Sequence, residues 1–379
     1  MNARLRSRWS LAVIGVVVIA VIAAVIVYSH GPGSLIGSNA SGSTAAQSKP
    51  LPPSAVLKLP NANVSNGTEP LVVTLAGAPA SNTPRPRIAA VAKGQPAVSG
   101  TWTNVGNTEV FKSTATLQPC ESYRLTVPQS TQEADHKGLT RRRMVTLNVA
   151  CPSTYGLQLA LARLGYLPDS FKAAAGASVS HEETRSAAAH LVYDPPKGSF
   201  QTDVAGAPPV ETNSLSGSTK GALMVFQEQH HLEVDGEAGP ATWAKLLTAV
   251  AHKYRDLEPY TFVTVSESLP ETLEVHKGNS VVLTTPANTG VPGAETEQGI
   301  FPIYERLTST TMVGEDPDGT KYDVSDVPWV NYFNGGDAVH GYERASYGFP
   351  QSNGCVELPI STAEKVYPML AIGDIVWVS

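Results

Sequence analysis

At 379 residues, the chain has room for two or three domains, and a hydrophobic share of 42% is enough for them to form packed cores. The formal net charge of −6 argues against a nucleic-acid partner, because nucleic-acid binding calls for a basic face. The three cysteines are an odd number, so in an exported protein two can pair while the third stays a free thiol.

The N-terminus has the pattern of a membrane anchor. Three arginines (Arg4, Arg6 and Arg8) precede an uninterrupted apolar run over 11–28, and about eighteen apolar residues just span a bilayer core. We therefore expect a transmembrane helix over 11–28, with 1–10 in the cytoplasm and the rest of the chain outside, because arginines favour the cytoplasmic side. A cleaved signal peptide is the competing interpretation, although Tyr28-Ser29-His30 is a poor cleavage site.

Residues 29–68 are rich in Gly, Ser, Ala, Pro and Asn and show no sustained apolar period. Such a segment cannot bury enough surface to offset its chain entropy, so we expect a flexible linker that gives the following domains reach.

Residues 69–151 carry short alternating apolar runs between turn-rich segments, which predict an all-β sandwich. The runs lie at 71–75, 97–103, 109–117, 123–127 and 144–149. In the last run, Val145, Leu147 and Val149 share one face. The spacing of Leu117, Pro119 and Tyr123 resembles the corner of bacterial immunoglobulin-like domains, in which a tyrosine hydroxyl bonds back to the chain.

Residues 152–250 have helical periodicity. One amphipathic segment begins at Tyr155 and stops at Gly165, and another covers 219–229. Leu157-Gln158, Leu164-Gly165-Tyr166, Phe226-Gln227 and then Asp235-Gly236-x-x-Gly239-x-x-Thr242 resemble the three-helix peptidoglycan-binding domain. About 168–215 departs from that pattern, and we interpret it as a long insertion with an Ala-rich helix over 182–191.

From residue 258 the chain returns to strand patterns, which predict a mostly-β module with helical excursions. Strands are predicted at 260–265, 272–276, 280–284, 299–306, 329–333 and 374–378. A short helix is predicted over 361–369, with Ser361 as its N-cap and Glu364 in the capping-box position.

A histidine and a cysteine, His340 and Cys355, stand fifteen positions apart near the C-terminus. A free cysteine titrates near pH ~8.5, and a neighbouring imidazole can take its proton to generate the nucleophilic thiolate. Gly354 lets the backbone approach a substrate carbonyl and leaves the N–H groups of Gly354 and Cys355 free to face an oxyanion. Judged by spacing alone, a buried structural cysteine is the commoner interpretation.

The wider pattern changes that balance. His340-Gly341, a loop, and Ser352-Asn353-Gly354-Cys355-Val356 resemble the active-site signature of the L,D-transpeptidase family, which cross-links peptidoglycan. Upstream, Asn288-Thr289-Gly290-Val291-Pro292-Gly293, Thr296 and Gly299-Ile300-Phe301-Pro302-Ile303 resemble the "TGxPGxxTPxGxF" segment of the same family. The resemblance covers about 258–379.

This resemblance implies an enzyme with Cys355 as nucleophile and His340 as general base, without a metal or other cofactor. It implies a peptidoglycan stem tetrapeptide as donor, cut before its terminal D-alanine, and the side-chain amine of a diamino acid on another stem as acceptor. It also implies contact with glycan, location in the bacterial cell envelope and acylation by carbapenems.

The sequence departs from the family at two positions and lacks a usual third residue. Asn353 replaces a usual His or Lys, Glu357 replaces a usual Arg or Asn, and Gly341 stands where the family often has serine beside the histidine. The substrate-positioning candidates are Gly341, Ser352, Asn353, Glu357, Tyr332 and Tyr342. An L,D-carboxypeptidase or exchange enzyme and a non-catalytic wall-binding scaffold remain alternatives.

With Cys355 assigned to catalysis by the resemblance, Cys120 and Cys151 remain as a disulfide pair. Their bridge closes a loop of about thirty residues, which on the chain-entropy model stabilises the fold by about 3–4 kcal/mol. Export of the chain favours its formation.

Overall fold

The fold was analysed in a computed structural model, which describes residues 56–58, 63–64, 70–76, 87–91, 97–105, 108–127, 132–133, 143–177 and 184–379. The predicted anchor at 11–28 and the cytoplasmic segment at 1–10 lie outside these residues. No helix in the described ranges combines the length and apolar character needed to cross a bilayer.

The first described module is built from two β-sheets. One has the order β5-β6-β3-β1-β8 and the other β2-β9-β7-β4. The strands are β1 Val56–Lys58, β2 Asn63–Val64, β3 Pro70–Ala76, β4 Arg87–Ala90, β5 Gly100–Val105, β6 Thr108–Thr116, β7 Ser122–Val127, β8 Gln132–Glu133 and β9 Arg143–Val149. Buried residues of both sheets, among them Val73, Phe111, Leu125 and Leu147, form one core.

Two details of this sandwich were predicted. The hydroxyl oxygen of Tyr123 accepts a hydrogen bond from the backbone N–H of Gln118 at 2.9 Å, as the corner motif requires. Cys120 and Cys151 form the predicted disulfide, with their Cα atoms 4.5 Å apart.

The predicted linker over 29–68 is wrong where the structure describes it. Val56–Lys58 pairs with β3, and Asn63–Val64 pairs with β9, so both segments belong to the sandwich. Strands of two or three residues are too short to show an apolar alternation, and only their partners in the sheet reveal them.

The second module packs four helices around one core. They are α1 Thr154–Leu164, α2 Arg185–Tyr193, α3 Ser218–Gln229 and α4 Pro240–Ala251, and a hairpin-like pair of strands, β10 Asp169–Ala173 and β11 Gly198–Thr202, lies between them in the chain. The Ser153 hydroxyl caps α1 by accepting from the Gly156 N–H, and Gly165 ends it in the left-handed conformation at φ 85°. The segment that departs from the family pattern is therefore not peripheral, because α2 contributes Ala188, Ala189 and Val192 to the core.

Two buried glutamines explain the polar motif residues of this module. The Gln227 amide nitrogen donates to Asp235, to the Glu237 carbonyl and to Thr242, while its oxygen accepts from the Gly236 N–H. The Gln158 amide in the same way joins the loop before α3 to Thr219. These side chains hold the turn between α3 and α4 and the start of α3.

The third module contains two sheets and a short helix. The sheets have the orders β14-β13-β12-β20-β15 and β16-β17-β18-β19. The elements are β12 Thr261–Ser266, β13 Thr272–Lys277, β14 Ser280–Pro286, β15 Gly299–Pro302, β16 Glu305–Glu315, β17 Lys321–Asn334, β18 Asp337–Gly341, β19 Val356–Leu358, α5 Ile360–Val366, a 3-10 turn Tyr367–Met369 and β20 Ile375–Val378. Residues from both sheets and α5, among them Val263, Phe333, Leu358 and Val366, share one core.

Sequence patterns missed most of the hairpin formed by β16 and β17. The predicted strands at 299–306 and 329–333 cover only its two ends, because the rest is largely exposed and polar, without apolar alternation. The helix start was also misplaced. Pro359, not Ser361, is the N-cap of α5, and no side chain caps this end.

The second and third modules are in contact. A Cβ built on Gly221 of α3 would lie 2.4 Å from the carbonyl oxygen of Gly373, just before β20. The Ala205 N–H also donates to the Asn279 side chain at 2.6 Å. The helices therefore pack against the end of the first sheet of the third module.

Candidate active site

His340 and Cys355 are brought together by the parallel pairing of β18 with β19. Val339 is the register partner of Val356, and His340 is the partner of Glu357. Directly paired residues project to the same face of a sheet, and residues two apart in one strand also share a face. Cys355 immediately precedes β19, so its extension places the cysteine on the face that carries His340.

A backbone carbonyl fixes the tautomer of His340. Its Nδ1 lies 3.0 Å from the Gly341 carbonyl oxygen, and because a carbonyl only accepts, Nδ1 carries the proton. Nε2 is then the unprotonated nitrogen. Burial lowers the pKa of His340, so the imidazole is neutral at neutral pH and able to accept a proton.

Cys355 is partly exposed, and two carboxylates act on its thiol. Burial raises the pKa of Cys355 to about 12, the Asp337 and Glu357 carboxylates act in the same direction, and a backbone hydrogen bond from Ala338 opposes them. The thiol is therefore protonated at neutral pH and needs a base to become nucleophilic. The Sγ contacts the Gly336 carbonyl at 3.9 Å, and it makes no hydrogen bond to His340 in the described part of the chain.

The upstream motif braces the cysteine loop. The Thr296 hydroxyl accepts from the Gly290 N–H and donates to the Gly354 carbonyl, both at 2.9 Å. The backbones of Asn288 and Glu357 exchange two hydrogen bonds, and the Ser352 N–H donates to the Thr289 carbonyl. Both ends of the loop that carries Cys355 are thus held by 288–296.

Gly354 has to be glycine. Its φ is +103°, and a Cβ at this position would lie 2.4 Å from Oδ1 of Asp337. The Ser352 hydroxyl donates to the Cys355 carbonyl at 2.5 Å, so this buried candidate closes the turn instead of facing a substrate. Within the described residues, the backbone N–H groups of Gly354 and Cys355 donate no hydrogen bond.

Glu357, the main departure from the family pattern, is neutralised within the domain. Arg344, from the loop after β18, donates to both carboxylate oxygens of Glu357 at 2.8 Å and also to the Gln351 carbonyl at 2.9 Å. The Glu357 side chain is 6% exposed and that of Arg344 30%. Because the charge is paired, Glu357 does not present a free carboxylate to a substrate.

The other predicted positioning residues have separate environments. Asn353 donates to Asp316 at 2.5 Å, which ties the cysteine loop to the tip of the β16–β17 hairpin. The Tyr342 ring lies edge-on to His340 with centroids 6.2 Å apart, whereas Tyr332 stacks with Tyr304 at 6.1 Å on the cysteine side. A Cβ on Gly341 would lie 3.2 Å from the Ala363 Cβ, so Gly341 allows close packing of α5.

Two segments of the chain match known protein families. Residues 261–378 match the L,D-transpeptidase catalytic domain, and 202–246 match a peptidoglycan binding domain. Residues 261–378 belong to the L,D-transpeptidase catalytic-domain family. The peptidoglycan-binding resemblance is confirmed over a segment that includes α3 and most of α4 but not α1.

Solved structures of L,D-transpeptidases also match the chain. The catalytic domain from E. faecium is 25% identical, with 31% of this chain and 96% of that chain covered and a TM-score of 0.29. The same domain acylated by ertapenem is 25% identical, covers 33% and 99%, and has a TM-score of 0.29. L,D-transpeptidase 3 from Mycobacterium tuberculosis with a faropenem-derived adduct is 14% identical, covers 86% and 95%, and has a TM-score of 0.29. A comparison with curated protein sequences finds no match.

Two residues of the L,D-transpeptidase domain escaped the sequence analysis. Arg344 compensates Glu357, and the departure of Glu357 from a basic residue was itself a signal to look for a new cation nearby. Asp337 lies against Gly354 and acts on the Cys355 thiol. In the sequence it stands three residues before His340, at the start of a strand, and nothing distinguishes it there from an ordinary polar residue at a strand end.

Proposed function

We propose that this protein is an L,D-transpeptidase that forms peptidoglycan cross-links through a thioester on Cys355. The observation that carries the proposal is the pairing of β18 with β19, which sets Cys355 on the face of a neutral imidazole whose Nδ1 proton is held by the Gly341 carbonyl. A protonated thiol and a neutral histidine are the reactant states that general-base catalysis needs.

In the first half-reaction, Nε2 of His340 accepts the proton of the Cys355 thiol as Sγ attacks the amide carbonyl before the terminal D-alanine of a stem tetrapeptide. The new S–C bond forms a tetrahedral oxyanion, which the free N–H groups of Gly354 and Cys355 are available to stabilise. The C–N bond then breaks, and the imidazolium returns its proton to the leaving amine of D-alanine. This attack requires Sγ to leave the Gly336 carbonyl.

In the second half-reaction, the side-chain amine of a diamino acid on another stem attacks the thioester. A C–N bond forms, the C–S bond breaks, and the proton released by the amine restores the Cys355 thiol. If water attacks instead, the same thioester yields carboxypeptidation, and the partial exposure of Cys355 gives water access. An L,D-carboxypeptidase or exchange enzyme is therefore the second candidate.

A carbapenem offers a strained amide carbonyl to the same thiol, so we expect it to acylate Cys355. The decisive experiment exposes the protein to meropenem and measures intact mass, with Cys355→Ala as the control. One adduct on the parent chain and none on the variant is the expected result. A parent chain without an adduct indicates a non-catalytic wall-binding scaffold. Products from a tetrapeptide donor, with and without an acceptor amine, then separate cross-linking from trimming.

The remaining modules fit an enzyme that works at a distance from a membrane. We propose that the segment at 11–28 anchors the chain, with the catalytic domain outside the cell membrane, and that the helical module contacts glycan. Membrane fractionation of the full chain and of a variant lacking 1–28, together with sedimentation on purified cell walls, tests both expectations.

A further inference from the structure

Two carboxylates act electrostatically on the Cys355 thiol, and within the described residues only one of them has a cation. Both raise the pKa of the thiol. Glu357 receives two hydrogen bonds from Arg344 at 2.8 Å, whereas the Asp337 carboxylate receives no hydrogen bond or ion pair from the described part of the chain. Among the described residues, the charge of Glu357 is compensated by Arg344 and the charge of Asp337 has no such partner.

The position of Asp337 next to the reacting atoms is fixed by the backbone. It begins β18, and one of its oxygens would lie 2.4 Å from a Cβ on Gly354, which places the carboxylate against the residue before the nucleophile. Its side chain is only partly buried, so a ligand can reach it. A carboxylate that has no partner among the described residues and lies against the residue before the nucleophile is suited to hold an ammonium group.

The charged and titratable groups around Asp337 reinforce this character. Burial raises the pKa of Asp337 to about 6, and the Glu297 carboxylate acts in the same direction. Asp337 in turn raises the pKa of the Tyr304 and Tyr322 phenols and of the Cys355 thiol. No Lys, Arg or His is among these neighbours, and at neutral pH Asp337 is mainly ionised.

On this basis we propose that Asp337 is the binding residue for the ammonium form of the acceptor amine in the second half-reaction. This proposal rests on the proposed function, because it places the acceptor beside the thioester that Cys355 forms. The Asp337 carboxylate pairs with the incoming ammonium, holds it against the cysteine side of the acyl group and accepts its proton as the free amine is released. The amine then forms the C–N bond and the C–S bond breaks. As the amine nitrogen becomes an amide it loses a second proton, which passes through His340 to the departing thiolate and restores the thiol. Asp337 releases the first proton to solvent, which balances the step.

The role separates the two half-reactions. In donor acylation the attacking group is the Cys355 thiol and not an ammonium, so Asp337 is not needed for it, and removal of its charge lowers the pKa of the thiol. Aminolysis by a charged acceptor needs the ion pair. Aminolysis by hydroxylamine does not need that ion pair, because hydroxylamine is uncharged at neutral pH. Hydrolysis of the thioester by water does not need it either.

The test compares the full-length protein with Asp337→Asn at pH 7.5. The probes are a labelled stem tetrapeptide donor, a diamino-acid stem peptide with a free side-chain amine, and hydroxylamine. We expect Asp337→Asn to acylate at an unchanged or higher rate, to react normally with hydroxylamine, and to lose about ten- to a hundredfold in transfer to the amine, as the loss of a charge-assisted contact predicts. Cross-linked product should give way to hydrolysed product.

Two further variants make the result specific. Asp337→Glu keeps the charge and should retain a measurable part of the transfer. Glu297→Gln removes another carboxylate near Asp337. Glu297 is exposed and accepts a hydrogen bond from the Asn334 side chain at 2.9 Å, so its loss should leave the transfer rate within about twofold of the parent rate.

Several results would overturn the assignment. An equal fall of acylation and transfer in Asp337→Asn would show that Asp337 acts on the sulfur or on the fold. An equal loss with hydroxylamine, an unchanged transfer rate, or the same loss in Glu297→Gln would each exclude ammonium recognition by Asp337. Absence of acylation in the parent chain would instead refute the proposed function itself, so the two failures are distinguishable.

Discussion

Arg344 holds the carboxylate of Glu357 with two hydrogen bonds of 2.8 Å, on the strand directly paired with the one that carries His340. Glu357 raises the pKa of His340 and Arg344 lowers it, so the pair presents little net charge to the imidazole. The acidic residue that departs from the family pattern and the arginine of the loop therefore act as one unit.

This pairing predicts the effect of reversing the charges. Arg344→Ala leaves a buried carboxylate without its cation and should lower the free energy of unfolding by about 3 kcal/mol. Arg344→Glu and Glu357→Arg should each also destabilise the fold, because each places two like charges together. The double variant should recover most of the stability lost in the two single variants, because the ion pair is restored with opposite polarity. Urea unfolding of both single variants and the double variant measures the coupling.

Glu343→Gln is the matched control, because Glu343 is an exposed neighbour of Arg344. It should change stability by no more than about 0.5 kcal/mol. If the effects of Arg344→Glu and Glu357→Arg simply add in the double variant, the pair does not have the structural role described above.

Gly354 gives a second prediction. An alanine there must adopt a φ of +103° and place its Cβ against Asp337, so we expect Gly354→Ala to lose about 1–3 kcal/mol of stability. The strain should also displace Cys355, and a shift of about 1 Å in the nucleophile should slow acylation by about a hundredfold. Thermal unfolding and the rate of meropenem adduct formation measure the two effects.

Gly336→Ala tests whether any added methyl group near the sulfur has this effect. A Cβ on Gly336 meets no atom within 4 Å, so both stability and acylation should stay close to the parent values. A normal acylation rate in Gly354→Ala would show that the loop tolerates a shift of its backbone.

The pH dependence of acylation reports how Cys355 is activated. The pKa of the thiol is raised to about 12, and that of His340 is lowered from its usual 6.5. With imidazole as general base, the rate should be flat between about pH 7 and pH 9, because neither group changes its protonation there. It should fall only on the acid side of 6.5, where His340 gains a proton.

His340→Asn should remove the plateau. Its acylation is expected to be slower by about two to four orders of magnitude at pH 7 and to rise about tenfold per pH unit, because only preformed thiolate then reacts. A parent enzyme that already shows this slope would not be using His340 as a base.

The Cys120–Cys151 bridge closes a loop of the sandwich, and Cys120 also packs against the core of the helical module. The two cysteines are separated by 31 positions, and replacing both with serine should lower the stability of that module by about 3–4 kcal/mol. Acylation of Cys355 should not change. A parallel loss of acylation would mean that the sandwich supports the catalytic domain directly.

Local patterns predicted the elements that bury a regular face. The alternation in 260–265 and 272–276 corresponds to β12 and β13, which contribute Val263, Val265, Leu273 and Val275 to the core. The polar β16–β17 hairpin lacked that signal, since its stability comes mainly from pairing between its own two strands. The prediction of a flexible linker over 29–68 failed for a related reason. Strands of two or three residues form only through pairing with other parts of the chain, so they leave no pattern of their own.

The sequence by itself determined the residue types of the candidate chemistry: a lone cysteine after glycine, a histidine before a loop, and a second motif upstream. Those signals are local, since each depends on neighbours in the chain. Tertiary structure alone decided that Arg344 cancels Glu357 and that Thr296 holds the Gly354 carbonyl. It also placed Asp337 against Gly354 with no cation paired to it among the described residues. Charge compensation depends on distance in space, and the pairing of β18 with β19 sets those distances.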